Sequence, residues 1–412
     1  MYKKRHIEHK LLESARVFKI LLVTGPRQVG KTTLLTHLFP NAPHITFDPV
    51  LDRFNARVDP DAFLRNYPNQ TILDEVQFVP ELLSAIKRKV DQSDHKGQYL
   101  LTGSQHLSVL RHVSETMAGR VGIVELENMS IFEEQDSPYN WVQALFENPL
   151  SLRERFLGVF SSSNLYECMW RGSFPGLIGL SNTQIPQFYE SYITTYVERD
   201  VRLLEDIGDQ SKFGRFMGLL AALTAQEINQ TELGRELGAA RKTAQRWLSV
   251  LQYTYQWREL WPYTSNTIKR ITKKQKGYMR DTGMACFLQN IGSHSSLLAH
   301  PSLGALFETF CVNTIFKLLS GLPFRVGAYH WRTTGGAEVD MILEKDGMLY
   351  PIEFKHRTFV KKQELKGLTS FRQTYPHQKI APGIVVYAGT ECYWVDENTL
   401  ALPWNAQVSS NG

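Results

Sequence analysis

The chain has little cysteine and lacks a long uninterrupted apolar segment. Its four cysteines are scattered along 412 residues, with no CxxC pair and no histidine at zinc-binding spacing, which argues against a disulfide framework or a zinc site. The most apolar stretch, residues 216–225, has ten residues, whereas a membrane-spanning helix needs about 20. The first 16 residues carry charges without the apolar core of a signal peptide. We therefore expect a cytoplasmic protein with no membrane partner.

The remaining composition is that of an ordinary folded protein. Apolar residues make up 42% and charged residues 21% of the chain, which is too apolar for disorder. At about 150 residues per domain, the length predicts two or three domains. The 46 basic and 41 acidic side chains leave a net charge of +5, a mild excess that permits a nucleic-acid partner without requiring one.

Short apolar segments alternate with helical patterns in the first third of the chain. They predict five strands, at residues 18–25, 44–47, 71–73, 98–102 and 121–126. Strands that alternate with helices form a parallel sheet with helices on both faces. From residue 151 to 217 the pattern becomes helical, and residues 152–160 and 188–206 predict two helices.

A phosphate-binding loop follows the first predicted strand. The segment fits the pattern GxxxxGK[ST], with a strand before it and a helix after it. Its glycines let backbone N–H groups point at phosphate oxygens, and the helix start adds a positive dipole end. Lys31 is expected to reach the β- and γ-phosphates and Thr32 to ligate Mg²⁺. We expect ATP and Mg²⁺ as cofactors, with the nucleotide contacted by Gly25, Pro26, Arg27, Gln28, Val29, Gly30, Lys31, Thr32 and Thr33.

Acidic and basic side chains near later strand ends complete the predicted ATPase site. Asp74, at the end of the third strand, is expected to hold Mg²⁺, and Glu75 to polarise the attacking water. Ser104, with Gln105 as second choice, is the candidate sensor of the γ-phosphate, although a plain strand-end turn is an equal alternative.

Two arginines are candidates for stabilising charge in the transition state. Arg120, which precedes the fifth strand, can serve its own subunit or a neighbour, and Arg199 is a second candidate. The alternative for each is a surface ion pair.

Several short motifs resemble a prokaryotic family of AAA-type ATPases that are fused to a C-terminal domain of unknown function. The resemblance lies in Gly-Pro-Arg-Gln-Val-Gly-Lys-Thr-Thr at 25–33, Leu-Asp-Glu at 73–75, Leu-Thr-Gly-Ser at 101–104 and Ala-Gly-Arg-Val at 118–121. Residues 196–200 and 281–283 resemble the C-terminal part of that family. The resemblance implies an ATPase, and since many AAA-type ATPases form rings, it allows assembly with further copies of the chain.

A helix-turn-helix pattern occupies residues 231–251. Residues 231–237 predict a short helix, Gly238 a turn, and residues 240–251 a second helix. Basic and polar side chains crowd the outer face at the start of the second helix, where a recognition helix meets DNA. The alternatives are a helical pair with a solvated basic face and a protein-contact module. The candidate DNA-binding residues are Arg241, Lys242, Thr243, Gln245 and Arg246.

A second group of charged residues lies in the last third of the chain. Asp340 opens a strand, and after a hairpin Glu353 and Lys355 share one strand face. The pattern Asp-x(n)-Glu-x-Lys resembles the restriction-endonuclease-like core, with Val339 where that superfamily often has proline. It predicts a catalytic site in which Asp340, Glu353 and Glu308 hold Mg²⁺ or Mn²⁺ and Lys355 readies the water. The alternative is an edge hairpin with solvated charges.

Taken together, the sequence predicts an α/β protein with three parts. Residues 1–207 are expected to form a P-loop, AAA-type ATPase domain with a helical extension, 208–265 a winged-helix-like domain, and 266–412 a restriction-endonuclease-like α/β domain. The predicted function is ATP hydrolysis coupled to work on DNA, with metal-dependent cleavage as a further activity. Two alternatives are a translocase or remodeller whose C-terminal domain only grips DNA, and an ATP-switched protein-interaction or defence module.

Overall fold

The predicted N-terminal strands form a five-stranded parallel sheet. The structure is a computed structural model that describes residues 2–48, 50–52, 55–103, 117–161, 163–196, 209–265 and 274–409. The strands are β1 (Ile20–Thr24), β2 (His44–Thr46), β3 (Thr71–Asp74), β4 (Tyr99–Gly103) and β5 (Val121–Glu125). They lie in the order β2-β3-β4-β1-β5, and every neighbouring pair is parallel. All carboxyl ends therefore meet at one edge, with β1 between β4 and β5.

Helices cover both faces of this sheet, because successive strand residues point to opposite sides. Leu21 and Val23 of β1 belong to one core, and Ile20 and Leu22 to the other. The helices that contribute to the two cores are α1 (Glu8–Val17), α2 (Lys31–Leu38), α3 (Pro60–Asn66) and α4 (Glu81–Asp91).

The segment after β5 departs in one place from the sequence prediction. Its helices are α5 (Ile131–Glu134), α6 (Trp141–Glu147), α7 (Leu165–Arg171) and α8 (Gln184–Tyr196). The helix predicted over 152–160 is wrong, since Phe156–Val159 forms strand β6. This strand pairs with a segment some 250 residues later in the chain, a partner that local periodicity does not reveal. Residues 197–206 of the other predicted helix lie outside the described residues.

Three helices and a small antiparallel sheet follow. The elements are α9 (Gln210–Ala222), β7 (Gln226–Glu227), α10 (Gln230–Glu236), α11 (Arg241–Tyr253), β8 (Trp257–Pro262) and β9 (Lys276–Met279). Strand β9 pairs antiparallel with both β7 and β8. The expected division between residues 265 and 266 therefore falls between β8 and β9, two strands that pair with each other.

The C-terminal region packs helices against a mixed sheet. The helices are α12 (Thr282–Leu288), α13 (His294–Leu298), α14 (Leu303–Ser320) and α15 (Lys366–Thr374). The strands are β10 (Gly327–Arg332), β11 (Glu338–Lys345), β12 (Met348–Lys355), β13 (Lys379–Ile380), β14 (Gly383–Tyr387), β15 (Tyr393–Asp396), β16 (Thr399–Pro403) and β17 (Ala406–Val408). The antiparallel pairs β10–β11 and β11–β12 are followed by a parallel β12–β14 pair.

Two pairings join this region to the parts before it. Strand β10 pairs in parallel with β8, through Tyr329 with Trp261 and His330 with Pro262. One ten-stranded sheet therefore runs from β15 to β7 among the described residues. At the far end of the chain, β17 is the strand that pairs with β6.

Helix α14 is a longer apolar segment than residues 216–225, the ten residues that the sequence predicts to be the most apolar. Its 18 residues have a mean hydropathy of 1.3 and pass a length and composition test for crossing a membrane. However, 61% of the segment is buried inside the protein, which is typical of a core helix.

The first glycine of the phosphate-binding loop permits a stability test. A Cβ on Gly25 would lie 2.3 Å from the Leu126 carbonyl oxygen, and φ is +141°. We expect Gly25→Ala to lower the free energy of unfolding by about 2 kcal/mol or more, because overpacking and backbone strain add. Gly214→Ala, in α9 with no atom within 4 Å of the new Cβ, is the control and should stabilise by up to about 1 kcal/mol. Thermal melting compares the two, and equal effects would contradict the role given to Gly25.

Candidate nucleotide site and C-terminal charge cluster

The phosphate-binding loop leaves the carboxyl end of β1 and enters helix α2 at Lys31. Gly30 caps the helix in the left-handed region with φ +89°, a conformation that glycine adopts without steric cost. Buried Arg5 braces the loop from outside, donating one hydrogen bond to the Val29 carbonyl (3.0 Å) and another to the Glu127 carbonyl (2.7 Å). Arg5 therefore connects the loop to the segment that follows β5.

Lys31 is buried and folds back onto its own loop. Its ammonium donates hydrogen bonds to the carbonyl oxygens of Gly25 (3.1 Å) and Pro26 (2.7 Å). Carbonyl oxygens are neutral acceptors, whereas a phosphate oxygen offers a charged and stronger one. The ammonium is thus placed to exchange these partners for a phosphate.

Asp74 and Thr32 come together beside the loop, as the sequence predicts. The Thr32 hydroxyl donates to Asp74 Oδ1 at 2.9 Å, and Thr46, at the end of β2, donates to Oδ2 at 3.4 Å. Hydroxyl and carboxylate oxygens are the ligands that Mg²⁺ prefers, so these side chains fit that ion. They would hold it next to the bound phosphates.

Thr102 is a site residue that the sequence prediction missed. Its hydroxyl donates to Asp74 and accepts a hydrogen bond from the Glu75 backbone N–H (3.1 Å). The residue is the second-last of β4, next to β3, so its position close to a strand end was the available signal. Glu75 itself has φ +59°, which costs about 1 kcal/mol or more in a non-glycine residue and is most common at functional sites. Its carboxylate accepts a hydrogen bond from the Gln77 amide.

Arg120 lies at the opposite end of the sheet from the phosphate-binding loop. It directly precedes β5, and its carbonyl oxygen accepts a hydrogen bond from the first residue of β1. Its exposed guanidinium pairs with Asp91. The structure therefore does not bring Arg120 to the loop of its own chain, and it shows the surface ion pair that was the alternative. Ser104, Gln105 and Arg199 lie outside the described residues.

A cavity of about 400 Å³ adjoins the phosphate-binding loop. Its walls come from the N-terminal segment, from the loop and the start of α2, and from the stretch after α7. Tyr2, Gly30, Thr33, Met129 and Pro175 are among the lining residues. The cavity provides space beside the loop for a ligand larger than a phosphate.

The predicted C-terminal carboxylates also converge, and they do so in a buried cluster. Asp340 and Glu353 are 5% and 3% exposed. Asp340 Oδ2 accepts a hydrogen bond from the Phe354 N–H (2.9 Å), and Lys355 donates to Glu353 Oε2 (3.0 Å). Burial and the neighbouring Asp340 raise the pKa of Glu353 well above its usual value. The alternative of a solvated edge hairpin is therefore wrong for this part of the chain.

A lysine that is not among the predicted site residues completes this cluster. Lys276, in β9, lies 2.6 Å from Glu308 Oε1 and 3.3 Å from Asp340 Oδ1, and the Tyr278 hydroxyl donates to Glu308 (2.7 Å). Burial would lower the pKa of Lys276, but Tyr278, Glu308 and Asp340 hold it well above its usual value. Burial, with Asp340 second, raises the pKa of Glu308 to about 7.

The described residues contain no group of three or more His, Cys, Asp or Glu side chains arranged to hold a metal ion. Glu308, Asp340 and Glu353 are close, but each already has a lysine partner. In this arrangement the positive charges of the cluster are the ammonium groups of Lys276 and Lys355.

The predicted DNA-binding residues lie at the start of α11. Arg241, Lys242, Gln245 and Arg246 are exposed and Thr243 is half-buried, while Ala244, Trp247, Leu248 and Leu251 are buried. One face of this helix therefore packs inward, and the other presents three basic side chains to solvent.

Three family models match successive parts of the chain. Residues 17–134 match a model described as an AAA domain. Residues 162–295 and 303–406 match two domains of unknown function, DUF8612 and DUF4143.

Similar proteins include two mycobacterial relatives and several solved structures. The uncharacterized proteins Mb2031c of Mycobacterium bovis and Rv2008c of Mycobacterium tuberculosis are each 28% identical over 404 residues, covering 98% of this chain and 84% of theirs. The Walker-type ATPase Paby2304 of Pyrococcus abyssi is 14% identical with a TM-score of 0.43, over 68% of this chain and 94% of that one. The RuvB Holliday junction branch migration motor of Thermotoga maritima is 18% identical with a TM-score of 0.29, over 64% and 93%. The loop, the parallel sheet and the family matches together support a P-loop ATPase domain of AAA type that is fused to a C-terminal region similar to DUF4143.

Proposed function

We propose that this protein hydrolyses ATP at the phosphate-binding loop and couples the hydrolysis to work on DNA. The observation that carries the DNA part is the exposed basic face of α11, backed by a buried apolar face. The order of elements supports it: helix, short strand, two helices and a two-stranded hairpin are the parts of a winged-helix module. We further propose that the protein is cytoplasmic and that it can form homo-oligomers.

The ATPase side chains divide the chemistry among them. Lys31 binds the β- and γ-phosphates, and the segment Gly25–Thr33 surrounds them with N–H donors. Mg²⁺, held by Thr32 and Asp74, supplies positive charge on the phosphate oxygens. Glu75 orients water and takes its proton. Ser104 remains the proposed γ-phosphate sensor, with Gln105 second, and Arg120 acts only on a neighbouring copy.

A second candidate activity is metal-dependent cleavage of DNA by the C-terminal domain. Convergence of Asp340, Glu353 and Lys355, with Glu308 nearby, favours it. The element order α14, β10, β11, β12, α15, β14 supports a restriction-endonuclease-like core. If these residues never cut DNA, the domain grips the duplex instead. Incubating assorted DNA substrates with Mg²⁺ or Mn²⁺, with and without ATP, tests which applies.

Lys31→Ala should weaken ATP binding by about 10- to 100-fold or more, because a charge-assisted bond contributes about 1.5–3 kcal/mol. Isothermal titration calorimetry on the folded variant measures the affinity. The control is Lys362→Ala, which removes an exposed lysine in the C-terminal region. ATP affinity unchanged by Lys31→Ala would overturn the nucleotide site.

Glu75→Gln should leave ATP binding intact and slow hydrolysis by about 10²-fold or more, because a carboxamide does not accept the proton of water. Phosphate release under saturating ATP measures turnover. Glu81→Gln, an exposed residue that begins α4, should hydrolyse ATP at the wild-type rate. Wild-type turnover in both variants would remove Glu75 from the mechanism.

Reversing Arg241, Lys242 and Arg246 to Glu should weaken duplex binding and reduce its salt dependence. Each lost phosphate contact lowers the slope of log affinity against log salt by about 0.9, so three losses lower it by about 3. Gel-shift titrations at 50 and 200 mM salt measure both quantities. Reversal of Arg65, Lys87 and Lys89, on α3 and α4, makes the same charge change elsewhere. Equal DNA affinity in all three proteins would favour the protein-interaction alternative.

A further inference from the structure

Strand β9 delivers a cation into the C-terminal charge cluster from outside the DUF4143 match. Lys276 precedes residue 303, where that match begins, and it belongs to the hairpin that follows α11. Its side chain is 10% exposed, and its ammonium lies between Glu308 of α14 and Asp340 of β11. The cluster therefore takes its central cation from a different part of the chain.

The Lys276 ammonium uses the oxygens that a divalent cation would need. It lies at hydrogen-bond distance from one oxygen of Glu308 and one of Asp340, and Lys355 binds Glu353. A divalent ion on these carboxylates needs several oxygens at about 2.0–2.6 Å. Ammonium and metal ion would also repel each other at such distances. Occupancy by Lys276 and by a metal ion therefore exclude each other.

The cluster is open to entry on one side. A cavity of about 390 Å³ is lined by Lys276 and Glu308 together with His330, Arg332 and Glu338. A small ion can thus reach Glu308 from solvent, and it can reach Asp340 through the space that the Lys276 ammonium would leave between them.

The other end of β9 is fixed to the ATPase domain. Arg280 directly follows the strand and pairs with Glu125 (2.5 Å) and Glu127 (2.7 Å), at and just beyond the end of β5. Between these glutamates, the Leu126 N–H donates to the Thr24 carbonyl, and the Leu126 carbonyl faces Gly25. The four residues of β9, which begin with Lys276 and are followed by Arg280, thus connect the C-terminal cluster to the edge of the nucleotide site.

We propose that β9 is a latch. The ATPase domain holds β9 through Arg280, and β9 in turn keeps Lys276 in the carboxylate cluster. The cluster therefore accepts a divalent cation only when Lys276 leaves. This inference rests on the proposed metal-dependent activity, because that activity is what the latch would control. The metal-binding test of the latch does not require that activity. In the latched state the C-terminal domain binds no metal at Asp340. Release of β9, by changes at the nucleotide site, exposes the three carboxylates.

Manganese binding to the full chain tests the latch directly. Electron paramagnetic resonance counts free Mn²⁺ against wild type, Lys276→Met and the double variant Lys276→Met/Asp340→Asn, all without nucleotide. We expect Lys276→Met to gain a Mn²⁺ site that the double variant lacks. Wild type should bind Mn²⁺ at this site at least about tenfold more weakly than Lys276→Met does, a factor within the range of coupling between sites. Lys274→Met, two residues away, exposed and lining the same cavity, should behave like wild type.

Two results would overturn the inference. One is an Asp340-dependent Mn²⁺ site of equal affinity in wild type and Lys276→Met. The other is a Lys276→Met protein that hydrolyses ATP normally, and is therefore folded, yet gains no such site. Lys276→Gln, which retains a hydrogen-bond donor for Glu308, replaces the Met variant if that protein does not fold.

The link to the ATPase domain has its own variant. Glu125→Gln/Glu127→Gln, with Lys276 intact, should also raise Asp340-dependent Mn²⁺ affinity, because it loosens the hold on Arg280. If Lys276→Met gains the site and this variant does not, Arg280 is no part of the latch. DNA cleavage measured in the same samples separates the two proposals: a gained Mn²⁺ site without cleavage leaves the latch standing and overturns the nuclease activity.

Discussion

A buried carboxylate between two arginines is the contact on which the arrangement of the chain depends. Glu127 follows β5 and pairs with Arg258 of β8 and Arg280 after β9. Burial alone would raise the pKa of Glu127, yet the two guanidinium groups lower it to about 2. Removing one partner of such a buried group costs about 3–5 kcal/mol, because it leaves an uncompensated charge. The ATPase sheet and the β8–β9 hairpin are therefore fixed to each other at the point where β5 ends.

From this contact the structure extends in two directions. Toward the N-terminus, Leu126 ties the end of β5 to Thr24 and Gly25, at the start of the phosphate-binding loop. Toward the C-terminus, β8 continues into β10 and so into the ten-stranded sheet. Asp281 adds a second tie, since its carboxylate accepts hydrogen bonds from Ser173 and Tyr189 while it caps α12. The phosphate-binding loop and the C-terminal sheet are thus joined through buried charged contacts, in addition to the apolar core that they share.

The sequence predicted the parts of this protein that depend on neighbours in the chain. The phosphate-binding loop, the five parallel strands and the hairpin that brings Asp340 to Glu353 follow from local spacing and period. Three of the failures involve distant partners. Strand β6 was predicted as a helix because its partner lies near the C-terminus. Thr102 joins Asp74 only across the sheet, and Lys276 meets Glu308 and Asp340 only through the placement of β9.

Lys31 and Lys276, which are both buried, show that a motif identifies the ligands of a site but does not show whether the site can accept its ligand. Lys31 rests on the neutral carbonyls of Gly25 and Pro26, so an incoming phosphate offers it a stronger, charged partner and exchange is favourable. Lys276 rests on the carboxylates of Glu308 and Asp340, which already satisfy its charge in a low-dielectric setting. A ligand displaces the first ammonium by binding it, whereas the second leaves only if its strand moves. Under the two proposals, the phosphate-binding loop takes up its ligand directly, whereas the C-terminal cluster takes up a metal ion only after β9 moves.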